Sequence, residues 1–270
     1  MGSPGRSAPG RGDGRAAPTG STAAPAVLGG AVVLAQVAYP LTPAGTARDG
    51  LTIATVLLFA AASLLHAYVS RGPRAALGLL VVAGGGGLLA ESVGVATGVP
   101  FGTYSYAGTL GPKLLGVPLV IPLAWVMMAW PALLVAARLT SSRTARVGVA
   151  AIALASWDLF LDPQMVDAGH WRWASPTPGL PGVGTVPLTN YAGWLAVALL
   201  LMLVLDRAVP VRPSTSDTLP YGLYLWTYFS SVLALAAFFG LPPAALWGAL
   251  GMGAVALPLL RSLLSPVRVA

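Results

Sequence analysis

Apolar residues run along most of this chain in blocks long enough to cross a lipid bilayer, with polar positions gathered in the gaps. A bilayer core about 30 Å thick needs about 20 apolar residues per helical crossing. Eight such blocks stand at 23–41, 51–70, 75–97, 117–137, 147–163, 189–205, 219–239 and 243–264, of which the fifth and sixth are the shortest. The pattern predicts an all-α, polytopic membrane bundle of about eight transmembrane helices, forming one domain over 23–265. The residues before it, 1–22, are rich in Gly, Pro, Ser and Arg and lack the apolar surface to fold. They are expected to form a disordered cytoplasmic tail. A cleaved signal peptide fits less well, because the charged stretch is long and has no twin arginine.

Composition agrees: 56% of the 270 residues are hydrophobic and 9% charged, whereas a soluble domain is about a quarter charged. The net charge of +7 would suggest nucleic acid in a soluble protein, but here the placement of the basic residues matters more than their sum. Arg6, Arg11, Arg15, Arg71, Arg74, Arg138, Arg143, Arg146, Arg207, Arg212, Arg261 and Arg268 fall on one side of the predicted membrane. Arg48, Lys113 and Arg172 fall on the other. The positive-inside rule then puts the N-terminus in the cytoplasm of a multi-pass cell-membrane protein and removes the case for a nucleic-acid partner. The absence of cysteine excludes disulfides, thiolate nucleophiles and thiolate metal sites. His66 and His170 lie on opposite sides, so they cannot hold a haem as a pair, and no metal or cofactor is expected. His66, at a cytoplasmic helix end, reads as structural.

Acids inside a membrane are costly, about 2.5–3.5 kcal/mol each on insertion scales, and so mark function by default. Glu91 lies in the third predicted span and Asp158 and Asp162 in the fifth, all in the outer half. Asp158 and Asp162 are one helical turn apart on the same face, and Pro163 is expected to end their helix. So close a pair is expected to hold a proton between them. The alternative is that Asp162 faces the headgroups while Asp158 bonds a neighbouring helix. The outer loops 98–119 and 162–194 carry Phe101, Tyr104, Tyr106, Trp171, Trp173, Tyr191 and Trp194, either as an interfacial belt or as a pocket. Asp167 is expected to be solvated in the second loop. Pro118 precedes Trp125, and Pro187 precedes Trp194, by the same seven positions. Helices three and four thus echo helices five and six, which would bring Glu91 to the aspartates. The tetraglycine Gly84–Gly87 is expected to permit close helix packing.

Carboxylic acids, aromatic faces, the Asn190 amide and Lys113 suit proton transfer to an alkene, with the resulting cation held by Trp and Tyr rings. The ordered motifs "ESVGVATGVPFGTYSY", "LGPKLLGVPLVIPLAW", "DLFLDP", "GHWRW" and "PLTNYAGW" resemble those of the integral-membrane carotenoid biosynthesis proteins, of the bisanhydrobacterioruberin hydratase and γ-carotene 1′-hydroxylase type. The resemblance spans roughly residues 50–240. It implies cofactor-independent addition of water across the terminal 1,2 double bond of an acyclic (ψ) carotenoid end group. Membrane lipid and other carotenoid biosynthesis enzymes are the implied partners. Carried over by position, it matches the family's acidic and aromatic motifs to ten residues, of which Glu91, Asp158 and Asp162 are read here as catalytic. Tyr104, Tyr106, Trp125, Trp171, Trp173, Asn190 and Trp194 become substrate-binding. Asp158 is expected to donate the proton with Asp162 as its paired carboxylate, and Glu91 to orient or deprotonate water. Two rivals stand beside this reading. "DLFLD" is a D-x-x-x-D pattern of the kind found in intramembrane polyprenyl transferases, although a second aspartate motif is missing. A non-catalytic lipid or carotenoid carrier would use the same residues for packing alone.

Overall fold

The computed structural model describes residues 23–209 and 211–265, so the expected tail over 1–22 lies outside the described residues. Among the described residues, eight helical segments are long and apolar enough to cross a membrane, and each falls within a few residues of a predicted block. In chain order the helices are α1 (Ala23–Leu41), α2 (Thr46–Arg71), α3 (Pro73–Leu79), α4 (Gly86–Thr97), α5 (Val120–Leu139), α6 (Arg143–Ala155), α7 (Asp158–Asp167), α8 (Leu188–Ala208), α9 (Thr218–Leu233) and α10 (Pro242–Leu264). A π-helical stretch, Leu80–Gly85, joins α3 to α4 as one crossing, and another, Ala234–Phe238, extends α9. The fifth and sixth crossings, shortest in the sequence pattern, are 25 and 21 residues long.

Helix α5 is the axis of the bundle: 89% of its most apolar window is buried, and it packs against α2, α6 and α9. Such a helix is apolar on every side because every side meets another helix. The glycines of the third crossing make the close approach possible. A Cβ on Gly87 would sit 2.6 Å from the Trp125 ring on α5, and one on Gly84 would sit 3.1 Å from Val126.

The fifth crossing departs from expectation. Pro163 does not end the helix; it lies inside α7, which runs on to Asp167. Proline removes one intrahelical bond and crowds the carbonyl one turn earlier. The chain accommodates this by breaking on the N-terminal side instead, in a turn at Ser156–Trp157 closed by three-residue hydrogen bonds. Asp167 is exposed as expected, but as the last residue of α7 and not in the loop.

At one end of the bundle short strands organise the two long loops. Strands β1 (Tyr104–Tyr106) and β4 (Trp171–Trp173) pair antiparallel, with Tyr104 opposite Trp173 and Tyr106 opposite Trp171. Each loop also folds a hairpin, β2 (Lys113–Leu114) with β3 (Val117–Pro118) and β5 (Gly179–Leu180) with β6 (Val183–Pro187), before entering α5 or α8. The other end carries most of the arginines, and its buried acids Asp206 and Asp217 are paired. Asp217 takes a bidentate contact from Arg71 at 2.5 and 2.7 Å, and Asp206 takes Arg143 and Arg146. His66 is structural there: Trp130 Nε1 donates to its Nδ1 at 3.0 Å, which leaves Nε2–H to donate to the Ser216 carbonyl at 2.8 Å.

Candidate active site

The chemistry gathers beneath the β1–β4 ribbon. Glu91 projects from α4 and is buried, at 4% exposure. Its Oε2 accepts the hydroxyls of Tyr104 (2.5 Å) and Tyr106 (2.8 Å), and its Oε1 accepts Trp125 Nε1 at 3.2 Å. An indole N–H can only donate and an ionised carboxylate can only accept, so the arrangement suits a charged Glu91. Burial, then the nearby Glu91 charge, pushes both phenols well above their usual range, which keeps them protonated donors. Gly94, one turn past Glu91, lets the loop settle: a Cβ there would lie 2.7 Å from Phe101 and 3.0 Å from the Tyr104 hydroxyl.

Asp158 and Asp162 share one face of α7, both buried. Asn190, in the first turn of α8, donates its amide to Asp158 Oδ2 at 2.8 Å and also to Asp162 Oδ2. Trp171 Nε1, from β4, donates to Asp162 Oδ1 at 3.0 Å. Asp158 Oδ1 is buried with no hydrogen-bond partner, and the Asn190 amide holds one oxygen of each carboxyl. Two carboxyls gathered on one amide can share a proton, which suits the pair to acid chemistry.

Between Glu91 and Asp162 lies a cavity of about 30 Å³ lined by Tyr104, Tyr106, Trp125, Trp171, Trp173, Asn190 and Trp194. All of the expected substrate-binding residues line it, as do the expected catalytic Glu91 and Asp162. Asp158 does not; it stands behind Asp162. By this measure a water needs about 10–15 Å³, so the cavity has room for water but is too small for a branched alkene terminus. Admission of such a group requires the surrounding rings or the ribbon to shift. Trp125 and Trp194 stack with ring centroids 4.1 Å apart and planes 13° apart. Tyr104 faces Trp173 at 5.7 Å and Tyr106 meets Trp171 edge-on at 5.6 Å.

The proline-to-tryptophan echo corresponds to real geometry. Pro118 and Pro187 each close a hairpin ahead of a helix, and the two tryptophans that follow form the stacked pair. Glu91 precedes Tyr104 by the same 13 positions by which Asp158 precedes Trp171. Phe101, named from its loop, also lines the cavity; sequence reasoning missed Leu161, Ile121 and Ala124, which line it too, and Trp157, whose ring meets Trp194 edge-on at 6.1 Å. Trp157 directly precedes the D-x-x-x-D pattern; the aliphatic residues carry no signal that separates them from ordinary core. Lys113 is exposed and donates to the Tyr106 carbonyl at 2.6 Å, outside the cavity. Arg172 is also exposed, so neither cation faces the acids.

Comparison with known proteins places this geometry in context. Residues 51–257 match the family model described as "Carotenoid biosynthesis protein". Over 121 residues the chain is 36% identical to a protein of Haloarcula japonica named bisanhydrobacterioruberin hydratase. The aligned part covers 43% of this chain and 40% of that relative, well under half of each. No solved structure matches.

Proposed function

This chain belongs to the carotenoid biosynthesis protein family, and from that premise we propose that it is a cofactor-independent hydratase of the terminal 1,2 double bond of an acyclic carotenoid, acting in the cell membrane. The observation that carries the proposal is one cavity in which Asp162, joined to Asp158 through the Asn190 amide, lies across indole and phenol rings from Glu91. In the reaction, Asp162 gives its proton to C2 of the double bond, and the positive charge develops at tertiary C1. The Trp and Tyr faces and the Glu91 charge stabilise that cation. Water bonds to C1 and its spare proton passes to Glu91, then back to the aspartate pair, so alkene and water become a tertiary alcohol and the protein is unchanged.

The donor assigned here is Asp162 and no longer Asp158, because Asp162 lines the cavity and Asp158 stands behind it. Asp158 is the paired carboxyl, and Asn190 holds both in register. The hydratase relative supports the choice of reaction. A polyprenyl transferase would need cations to meet a diphosphate, and Lys113 and Arg172 do not line the cavity. The test is expression in cells that accumulate lycopene. Carotenoids heavier by one or two waters are expected from the wild type, and none from Asp162→Asn at equal expression. Unchanged lycopene with folded wild type, or magnesium-dependent consumption of a prenyl diphosphate, would defeat the reading.

A further inference from the structure

A hydratase buried in a membrane must bring water to its cation, and three adjoining cavities supply a path. The first opens at the loop end of the bundle, about 120 Å³, among Arg48, Asp49 and Asp167. It shares Tyr39, Gln164 and Phe239 with a second cavity of about 130 Å³ enclosed by α1, α2, α5, α7 and α9. The second shares Leu161 with the site cavity. The charged mouth thus leads past Gln164 to Leu161, with the acid site on the far side of that side chain.

The lining of the middle cavity decides what it carries. Gln36, Thr52, Thr55, Gln164, Ser230 and Ser231 all face it, although it lies within the span of the helices. Thr55 Oγ1 is buried with no hydrogen-bond partner in the protein. A polyene packed here would leave Thr55 Oγ1 unpaired, whereas water satisfies it. We propose that the chain of cavities from Asp49 and Asp167 through Gln164 and Thr55 to Leu161 is the route by which water reaches the reacting carbon. The carotenoid then enters elsewhere, and Leu161 is the partition between water store and cation. This inference rests on the hydratase reading above.

Methionines provide an internal test. Met127 and Met165, at 4–5% exposure, line the middle cavity, while Met128 and Met202, at 0%, line none of the three. In brief X-ray radiolysis of the full-length protein in lipid nanodiscs, hydroxyl radicals form where water is. Met127 and Met165 should oxidise at least tenfold faster than Met128 and Met202. The double variant Thr55→Val, Gln164→Leu should slow that labelling and cut hydration of lycopene about tenfold, with Asp162 and Glu91 untouched. If the wild type hydrates lycopene while all four methionines label at one slow rate, the route is wrong. Hydration unchanged in the double variant would also overturn it. Fast labelling of Met127 and Met165 in a wild type that makes no hydrate would defeat the hydratase reading alone and leave the cavities wet.

Discussion

Asp162→Asn separates the chemical role of this carboxyl from its structural one. In the wild type both oxygens accept, Oδ1 from Trp171 Nε1 and Oδ2 from Asn190 Nδ2. An asparagine offers one acceptor and one amide, so one of those donors must face another donor. The structural cost is that of one unpaired buried group, about 1–3 kcal/mol, which leaves a folded protein with lowered stability. The chemical cost is larger. Removing a general acid takes about 10²–10⁴ from the rate, or about 3–5 kcal/mol of barrier. Asp158→Asn makes the comparison clean: its oxygen can keep the Asn190 contact while its amide occupies the Oδ1 position, which has no donor to oppose it. It should fold as well as the wild type and lose about tenfold in rate, through the missing partner. The assay is hydrated carotenoid per folded protein, by chromatography and mass spectrometry in nanodiscs, with thermal unfolding in parallel. If Asp162→Asn hydrates at more than about a tenth of the wild-type rate, or Asp158→Asn is the more damaged of the two, the assignment of the donor is refuted.

Trp125→Leu removes a ring from the stacked pair and the N–H from Glu91. A desolvated cation–π contact is worth about 2 kcal/mol, so the rate should drop about thirtyfold. Trp125→Phe should fall between the two, and an unchanged rate in both would remove the ring from the mechanism. At the arginine end, Asp217→Asn breaks a buried ion pair and should destabilise the protein by about 3 kcal/mol. Hydration per folded molecule should stay unchanged, and a selective loss of rate would tie that end to the chemistry. His170 lies outside the crossings, buried against Thr109 at 2.7 Å. Burial holds its pKa below the ordinary 6.5, with Asp49 opposing. Because the folded value is depressed, the unfolded chain binds the proton first, and stability is lost as pH falls below about 6.5. His170→Gln should flatten that acid dependence of the unfolding temperature between pH 7.5 and 5.5, and an identical slope would show that His170 does not titrate there.

The crossings were legible because bilayer thickness imposes a length on apolar runs and the arginines mark one face of the bundle. Glu91, Asp158 and Asp162 were legible for a related reason: an acid in an apolar span has few explanations. What the sequence did not reveal was how the loops close over them. The β1–β4 ribbon joins segments 67 positions apart, and three-residue strands carry no periodicity long enough to detect. Pro163 misled because a local rule against helix was met by a break six residues earlier, at Trp157, that depends on packing. The order of the aspartates could not be read either, since helical spacing puts both on one face and Asn190 bonds both, so that only Trp171 sets Asp162 apart at the cavity.

The most direct measurement is isotopic. Purified protein in nanodiscs, given a ψ-ended carotenoid without added cofactor in water labelled with both deuterium and oxygen-18, should yield an alcohol carrying one solvent deuterium at C2 and one solvent oxygen at C1. An alcohol whose oxygen comes from dioxygen, or a folded protein that leaves the carotenoid unlabelled, would contradict acid-catalysed hydration at the Asp162–Glu91 cavity.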